Sequence, residues 1–498
     1  MTAVSQSKLF IFGWDAADWA VVEAGWRQGR IENLHALAER GQSGTAMSTV
    51  PPITPPAFTS FLTGTDPGEH GIFGFVTKGD GYDYRPVPGG ARKVPTLVRR
   101  LDRAGNRTAS VMFPYTFPAE PLEHGIVVPG WDDPEETFGS VHPPDAGRAL
   151  ADLVPRVPRR TNVRAPEPAF RSAMHEALEL KARIARWAID RANPRVFAMV
   201  FSETDHASHR WWLEGDPPPE LIDVYDLIDR TMGGLIREFV REDDTVLVVS
   251  DHGSWPIRRF VHVAPLLAEG GFLARGRRTS GAPAGPVDSA VPVNPAPANT
   301  GGPGRLHPAR GRRNFFARFD WARTKAFPLG DTLMATGVYV NCPPFPVPAV
   351  TPDEYEDVRS DVARFLSGVR DPATGDRVFS TVARREDLYR GGAVSLAPDL
   401  VVDGTTGYSP QLGRILDFGT LFTEVKRGGH RREGIFVANA DLGLDAVEPI
   451  EGLLPKVLRA LSFEVAPTAD VEGQPSEGYN AGELEEIERR LRDLGYVE

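Results

Sequence analysis

Short, nearly unbroken apolar runs alternate along this chain with longer stretches of helical periodicity. Residues 8–14 (KLFIFGW), 108–113 (TASVMF), 195–201 (RVFAMVF) and 245–250 (TVLVVS) have the length and composition of strands buried on both faces. Residues 170–192 place Met174, Leu178, Ala182, Ala185 and Ile189 at helical spacing, and Asn193-Pro194 ends that helix. Residues 33–39 read as a helix that follows a loop and stops at Gly41. Helices are also predicted over 94–104, 221–242, 351–370 and 445–461, a short strand over 435–438 (IFVA), and an amphipathic, charge-laced surface helix over 481–494. This alternation predicts an α/β fold with a mainly parallel central sheet flanked by helices on both faces.

The rhythm fails after residue 275. Residues 276–314 are rich in Gly, Pro, Ala, Arg and Asn and show neither a 3.6 nor a 2.0 period. They read either as an irregular surface excursion or as a lid whose Arg305, Arg310, Arg312 and Arg313 would suit an anionic substrate. The expected organisation is a first catalytic segment over 1–262, a cap or insertion over 263–380, and the rest of the catalytic domain over 381–498. No tandem repeat is evident.

Bulk composition narrows the function classes. A formal net charge of −11 argues against general or sequence-specific nucleic-acid binding, which rests on phosphate neutralisation. It leaves room for a small phosphate ester, because bound metals create local positive fields. Cys342 is the single cysteine, so neither an intrachain disulfide nor a thiolate cluster is available, and any metal must be held by carboxylate and imidazole. The N-terminal apolar run is too short for a secretory signal, and no window holds 18 uncharged apolar residues. The expectation is a cytoplasmic protein without membrane contact; the oligomeric state is left open.

Against this background, Asp and His recur where the predicted strands end. Asp15 follows the first run, Asp205 and His209 follow 195–201, and Asp251-His252-Gly253 follows 245–250. In open α/β sheets ligands collect at such carboxyl ends. His430 lies in GGHRREG, just before 435–438, and Thr54 lies in the proline-rich Thr54-Pro55-Pro56-Ala57. Asp205 and His209, four apart, share a face if their segment is helical. Each residue also has a plainer reading. Asp15 could cap a helix, His209 could be a surface residue beside Trp211, His252 could merely support a neighbouring group, His430 could be a loop histidine, and Thr54 could cap a turn. Taken together they supply six ligands and one hydroxyl nucleophile, enough for two divalent metals and a covalent phosphoryl intermediate. Oxygen and imidazole donors suit zinc, manganese or iron better than calcium.

The segments FGWD (12–15), PPITPPAFTSFLTGTDPGEHGIFGF (51–75), ETDHASH (203–209), SDHG (250–253) and GGHRREGIFVA (428–438) resemble, in order and spacing, the alkaline phosphatase superfamily. The branch is that of type I phosphodiesterases and nucleotide pyrophosphatases. The resemblance implies an alkaline-phosphatase-like core and two divalent ions, zinc first and manganese as the alternative. It implies that Asp15, Asp251, His252 and the nucleophile Thr54 hold one ion, and that Asp205, His209 and His430 hold the other. Pyrophosphatase relatives commonly carry asparagine three residues after the nucleophile; here the residue is Ala57. Phosphomonoesterase relatives use an arginine in the pocket that has no recognisable equivalent in this sequence; Arg258, Lys325, Arg431 and Arg432 are the candidate charge donors.

The resulting expectation is a two-metal phosphoesterase hydrolysing phosphodiester or nucleotide-pyrophosphate-type bonds. Its substrate would be a small phosphate ester such as a nucleotide or a sugar phosphate. The alternatives are a phosphomonoesterase, a phosphoryl or nucleotidyl transferase, and, with least support, a binding protein without catalysis. Sulfate-ester chemistry is disfavoured because Cys342 lies far from any sulfatase-like motif. Expected substrate contacts are Ala57, Phe58, His206, Trp211, Arg258, Lys325 and Arg431. His70 is read as structural, orienting the nucleophile's loop.

Overall fold

A computed structural model of the chain describes residues 7–79, 81–82, 84–134, 137–154, 162–276, 319–330, 335–412, 419–470 and 479–493. The chain opens with β1 (Leu9–Trp14), α1 (Trp19–Arg27), α2 (Glu32–Arg40) and β2 (Gln42–Met47). Next come α3 (Thr54–Thr63), the short α4 (Pro67–His70), the hairpin of β3 (Val76–Lys78) and β4 (Tyr84–Pro86), and α5 (Leu97–Arg103). The middle of the chain supplies β5 (Thr108–Phe113), β6 (Ile126–Pro129), α6 (Pro144–Leu153), α7 (Glu167–Ala192), β7 (Val196–Phe201), α8 (Glu203–Trp211), α9 (Pro219–Phe239), β8 (Thr245–Val249) and β9 (Gly253–His262). The remaining strands are β10 (Ala326–Gly330), β11 (Ala335–Val340), β12 (Phe379–Arg384), β13 (Leu400–Gly404), β14 (Tyr408–Gln411), β15 (Phe422–Arg431), β16 (Glu433–Ala438) and β17 (Val447–Pro449).

Eight strands form the central sheet in the order β17-β2-β16-β8-β1-β7-β5-β6. Strands β8, β1, β7, β5 and β6 all run parallel, and β16 is antiparallel to both β8 and β2. The sheet is thus mainly parallel, as the continuous apolar runs require. Alternation along the strands divides the core in two. Phe10, Phe12, Trp14, Phe197, Met199, Val246 and Val248 face one cluster of helices. Leu9, Ile11, Val196, Ala198, Val200, Leu247 and Val249 face the other, which includes Phe58 and Phe61 of α3. Both faces are covered.

Two expectations about local structure are corrected. The stretch after β1 is not only loop, since Asp18 accepts a hydrogen bond from Ala20 N and caps α1 there. The proline-rich segment at Thr54 is the first turn of α3 rather than an isolated turn. Proline is tolerated in a first turn because the N–H it lacks would have no partner inside the helix. β2, with its sequence QSGTAM, lacks the apolar run that marked the other strands.

A four-stranded antiparallel sheet (β10-β11-β13-β12) and a three-stranded sheet (β14-β9-β15) complete the architecture. The former reaches residue 404, past the boundary at 380 suggested by the sequence. The irregular segment lies outside the described residues beyond Gly276, with its four arginines. The helices expected over 351–370, 445–461 and 481–494 are found as Tyr355–Gly368, Ile450–Ala460 and Ala481–Asp493. No helix among the described residues is long and apolar enough to cross a membrane.

One enclosed ion pair positions α8. Lys181 sits on the apolar face of α7, and its Nζ lies 2.9 Å from Oε1 of Glu203, the first residue of α8. The two side chains are 6% and 2% exposed. Removing one partner leaves the other charge buried without compensation. Lys181→Met is expected to lower unfolding free energy by about 3–5 kcal/mol in urea titrations, and Lys181→Met/Glu203→Leu by clearly less. Equal losses in both proteins would show that the pair's charge is not what matters.

Candidate metal centre

Strand register assembles the first group of ligands. β1 pairs with β8 so that Leu9 faces Thr245 and Gly13 faces Val249. Continuing that offset by two residues brings Asp15 opposite Asp251. β1 pairs with β7 so that Trp14 faces Phe201, which delivers the start of α8 to the same edge. α8 then carries Asp205 and His209 one turn apart. β16 runs antiparallel to β8, so its beginning lies at the carboxyl edge of the parallel strands, and β15, which ends just before it, delivers His430 there. β15 also pairs with β9 so that His430 faces Ser254, two residues beyond His252. Close approach of β15 to α8 depends on Gly428, where a Cβ would lie 2.0 Å from Ser208 O.

Six of the seven residues form two adjoining groups. Asp205, His209 and His430 each present a ligand atom within 4.8 Å of the others, and so do Asp15, Asp251 and His252. The His252 and His430 rings stack with centroids 4.0 Å apart and join the groups. Thr54 Oγ1, at the first turn of α3, lies 3.4 Å from His252 Nε2. In the first group, His430 Nε2 is 3.0 Å from His209 Nε2, and both lie 3.2 Å from Asp205 Oδ1. The side chains are enclosed: Asp205, His209 and His430 are 1%, 5% and 4% exposed, and Asp15, Asp251 and His252 0%.

The donor set fits divalent cations. Nδ1 of His209 lies 2.9 Å from Gly428 O, that of His252 3.2 Å from Gly253 O, and that of His430 3.1 Å from Pro52 O. A carbonyl only accepts, so each Nδ1 carries the proton and each Nε2 turns a lone pair inward. Two such lone pairs and a carboxylate oxygen within 3.0–3.2 Å of one another repel unless a cation lies among them. In the second group Asp251 Oδ2 is buried, receives no hydrogen bond among the described residues and lies 3.3 Å from His252 Nε2. The chemistry is oxygen plus nitrogen without sulfur, as zinc or manganese accepts.

The pocket resists its own charge. Burial pushes the Asp251 carboxyl up to about 8, with the nearby Asp205 carboxylate adding to the effect. Burial also lowers His430, and it pushes His252 well below the ordinary imidazole range; burial thus favours the neutral form of both rings, as ligands require. Burial opposes ionisation of Asp205 too, but His209 and His430, when protonated, hold its carboxyl well below the usual range.

A surrounding layer aims these groups. Ala16 takes a left-handed backbone at φ 58°, which turns the chain sharply after Asp15. Its N–H donates to Asp251 Oδ1 at 3.2 Å, and Ser254 Oγ donates to its carbonyl at 2.6 Å, so the strained residue is held from both sides. Thr204 Oγ1 donates to Asp15 O. At the end of α4, His70 Nδ1 accepts from Ile72 N at 3.1 Å, which leaves Nε2–H to donate to Ser60 Oγ of α3 at 2.9 Å. Its imidazole is thus hydrogen-bonded to the helix that begins at Thr54.

The other residues singled out from the sequence are not members of the two ligand groups. Ala57 is fully buried on α3, and Phe58 packs edge-on against Phe113 in the core. His206 is buried on α8, and Trp211 packs edge-on against Phe170 at the end of that helix. Arg258 lies over Tyr408, and Lys325 is exposed near Glu354. Arg431 grips Asp18 through Nε and Nη2 at 2.6 and 2.7 Å. Arg432 donates to Ser48 O.

Sequence reading missed Asp18 and the Lys181–Glu203 pair. A signal existed for each. Asp18 stands at capping distance before Val21 and Val22, and Lys181 interrupts the apolar stripe of its helix.

The model of the family described as type I phosphodiesterase / nucleotide pyrophosphatase matches residues 9–430. No curated protein matches the chain. Among solved structures, phosphonoacetate hydrolase from Sinorhizobium meliloti 1021, in complex with phosphonoformate, is similar with a TM-score of 0.59 and 15% identity, over 92% of this chain and 95% of that one. Murine ectonucleotide pyrophosphatase / phosphodiesterase 5, in an inactive form with AMP, gives 0.52 and 11%, over 95% and 98%. The human counterpart gives 0.53 and 12%, over 93% and 96%. At these identities the likeness is one of fold.

Asp205→Asn and Asp251→Asn, each in a different group, are each expected to lower bound metal from about two ions per chain to about one. Elemental analysis of the purified proteins after dialysis against trace zinc tests this. Wild-type stoichiometry in both variants would remove these carboxylates from the ligand set.

Proposed function

We propose that this chain, which belongs to the type I phosphodiesterase / nucleotide pyrophosphatase family, is a metal-dependent hydrolase of phosphodiester or phosphoanhydride bonds with Thr54 as its nucleophile. The observation that carries the reading is the position of Thr54 Oγ1, 3.4 Å from His252 Nε2, beside two adjoining groups of buried carboxylate and imidazole ligands. The similar structures that hold phosphonoformate and AMP support a phosphorus oxyacid as the substrate class.

When bound, the two cations supply charge neutralisation and acidify the threonine hydroxyl. Charge counting supports two of them: Asp15, Asp205, Asp251 and a Thr54 alkoxide total four negative charges, which two divalent ions balance. Asp15, Asp251, His252 and Thr54 would hold one ion, and Asp205, His209 and His430 the other. Thr54 Oγ1 attacks phosphorus as the bond to the leaving oxygen breaks, and a phosphothreonine forms. Water then attacks that phosphorus, the Thr54 oxygen departs, and the hydroxyl is restored. α3 fixes the attack direction, because all ten of its residues are buried.

The diester is favoured over the monoester. A phosphomonoester dianion brings more charge and needs further donors. Pro55 and Pro56 have no N–H, and Ala57 has no polar side chain. Arg431 and Arg432 are held by Asp18 and by Ser48 O, while Arg258 packs on Tyr408 and Lys325 lies near Glu354.

Thr54→Ala is expected to reduce turnover about a thousandfold or more while keeping both metals, and Thr54→Ser to retain part of the rate. Steady-state rates paired with metal analysis decide the matter; near-wild-type turnover in the alanine variant would refute the nucleophile. With bis(4-nitrophenyl) phosphate and 4-nitrophenyl phosphate, kcat/KM is expected to favour the diester by about tenfold or more, a difference of about 1.4 kcal/mol in transition-state stabilisation. A preference for the monoester would reverse the assignment.

A further inference from the structure

The turn that carries Thr54 is poor in hydrogen-bond donors. Residues 48–57 read STVPPITPPA, and Pro51, Pro52, Pro55 and Pro56 have no N–H. Such a segment is fixed in place mainly through its carbonyls. Ser48 O accepts from Arg432 Nη2 at 3.1 Å, Pro51 O from Thr49 Oγ1 at 2.9 Å, and Pro52 O from His430 Nδ1 at 3.1 Å. Val50 O accepts from the hydroxyl of Tyr389.

Arg432 and His430 come from the end of β15 and its link into β16, but Tyr389 comes from elsewhere. It follows a short helix, Arg385–Leu388, on the excursion between β12 and β13 of the four-stranded sheet. Tyr389 is buried, its ring lies 5.1 Å from that of Phe73, and it shares an apolar cluster with Val50, Ala397 and Val401. Burial pushes its hydroxyl above the ordinary tyrosine range, so it keeps its proton and donates. Between Val50 and Thr54 stand Pro51 and Pro52, whose rings fix φ. A shift at Val50 is therefore passed on to Thr54 rather than absorbed on the way.

The same excursion grips the far side of the nucleophile's helix. Arg390 N donates to Asp66 Oδ1 at 2.9 Å, and Ala393 N to Gly68 O at 2.7 Å. Asp66 caps α4, and α4 ends at His70, whose imidazole is bonded to Ser60 of α3. Glycine permits this contact. A Cβ at Gly68 would lie 2.6 Å from Arg390 O, and at Gly391, where φ is 120°, it would lie 2.4 Å from Glu69 Cγ. One loop thus touches the chain ahead of Thr54 and the short helix that follows α3.

We propose that Tyr389 is a positioning residue for the nucleophile: by holding Val50 O, its hydroxyl sets the entry of the chain into α3 and so the aim of Thr54 Oγ1. The inference rests on the Thr54 reading above. It gives the four-stranded sheet a part in the reaction, although none of that sheet's residues belongs to the two ligand groups.

The test compares full-length, metal-loaded wild type, Tyr389→Phe and Val401→Ala. The first variant removes the hydroxyl and keeps the ring; the second takes packing from the same cluster and leaves the hydroxyl in place. With bis(4-nitrophenyl) phosphate, kcat per metal-loaded chain is expected to fall about tenfold in Tyr389→Phe with KM within about twofold of wild type, and to change by less than about twofold in Val401→Ala. Amide hydrogen exchange supplies a readout that does not depend on activity. Between Val50 and Phe58 only Ile53, Thr54 and Ala57 carry an amide hydrogen, and Ile53 N and Ala57 N are bonded to Pro51 O and Ile53 O at 3.1 and 3.2 Å. Exchange in this segment is expected to be about tenfold faster in Tyr389→Phe and unchanged in Val401→Ala.

Wild-type kcat in Tyr389→Phe, equal losses in the two variants, or unchanged exchange in Tyr389→Phe overturns the proposal. If the wild type leaves the diester intact, or Thr54→Ala keeps its turnover, the nucleophile reading fails, and the hold of Tyr389 on the turn is judged by exchange alone. Faster exchange in Tyr389→Phe then sustains that hold, and unchanged exchange refutes it.

Discussion

Three carboxylates, those of Asp15, Asp205 and Asp251, share one enclosed pocket at the edge of the central sheet. Their mutual repulsion, in surroundings that solvate charge poorly, is the constraint on which the rest of the molecule depends. Protonation relieves it only in part, as the displaced Asp251 carboxyl indicates. Divalent cations would relieve it, because three imidazoles hold Nδ1 against backbone carbonyls and turn Nε2 inward. Chemistry at such a site follows from the same source. A pocket built to hold cations against buried carboxylates is also one that can acidify a hydroxyl and steady a phosphoryl group.

The scaffold serves this arrangement by keeping other charges out of it. Glu203 begins the helix that bears Asp205, yet it is neutralised locally by Lys181. Asp18 lies three residues after Asp15, where Arg431 and the N–H groups of Ala20 and Ser254 satisfy it. Burial still raises its pKa, with Arg431 working in the opposite direction. Arg431 thereby ties the strand that bears His430 to the loop that follows Asp15. A residue that looked from the sequence like a substrate contact is part of the frame that holds two candidate ligands in place.

Much of the fold was legible because parallel strands covered on both faces must be continuously apolar. β1, β5, β7 and β8 show this plainly, and α7 shows its helical stripe. Elements without such a signature were harder to see. β2 is made of small and polar residues, α1 is short, and α3 begins with two prolines that suggest a turn when read alone. The candidate ligands were legible through their type and their place at strand ends. Charge donors were not, because an arginine's role depends on which acceptor it meets, and Arg431 meets Asp18 while Arg432 meets the carbonyl of Ser48.

What the sequence determined by itself is the inventory: which strands are buried, which residues can bind a cation, and the absence of any second cysteine. Tertiary structure alone decided how that inventory is divided and aimed. The offset of β1 against β8 set Asp15 beside Asp251, the reversed direction of β16 brought His430 to the same edge, and the close passage of Gly428 over Ser208 joined His430 to His209. The reason is physical. Burial and chemical type are properties of single residues and leave a local trace, whereas register and strand direction are relations between distant segments, settled only when their hydrogen bonds form together.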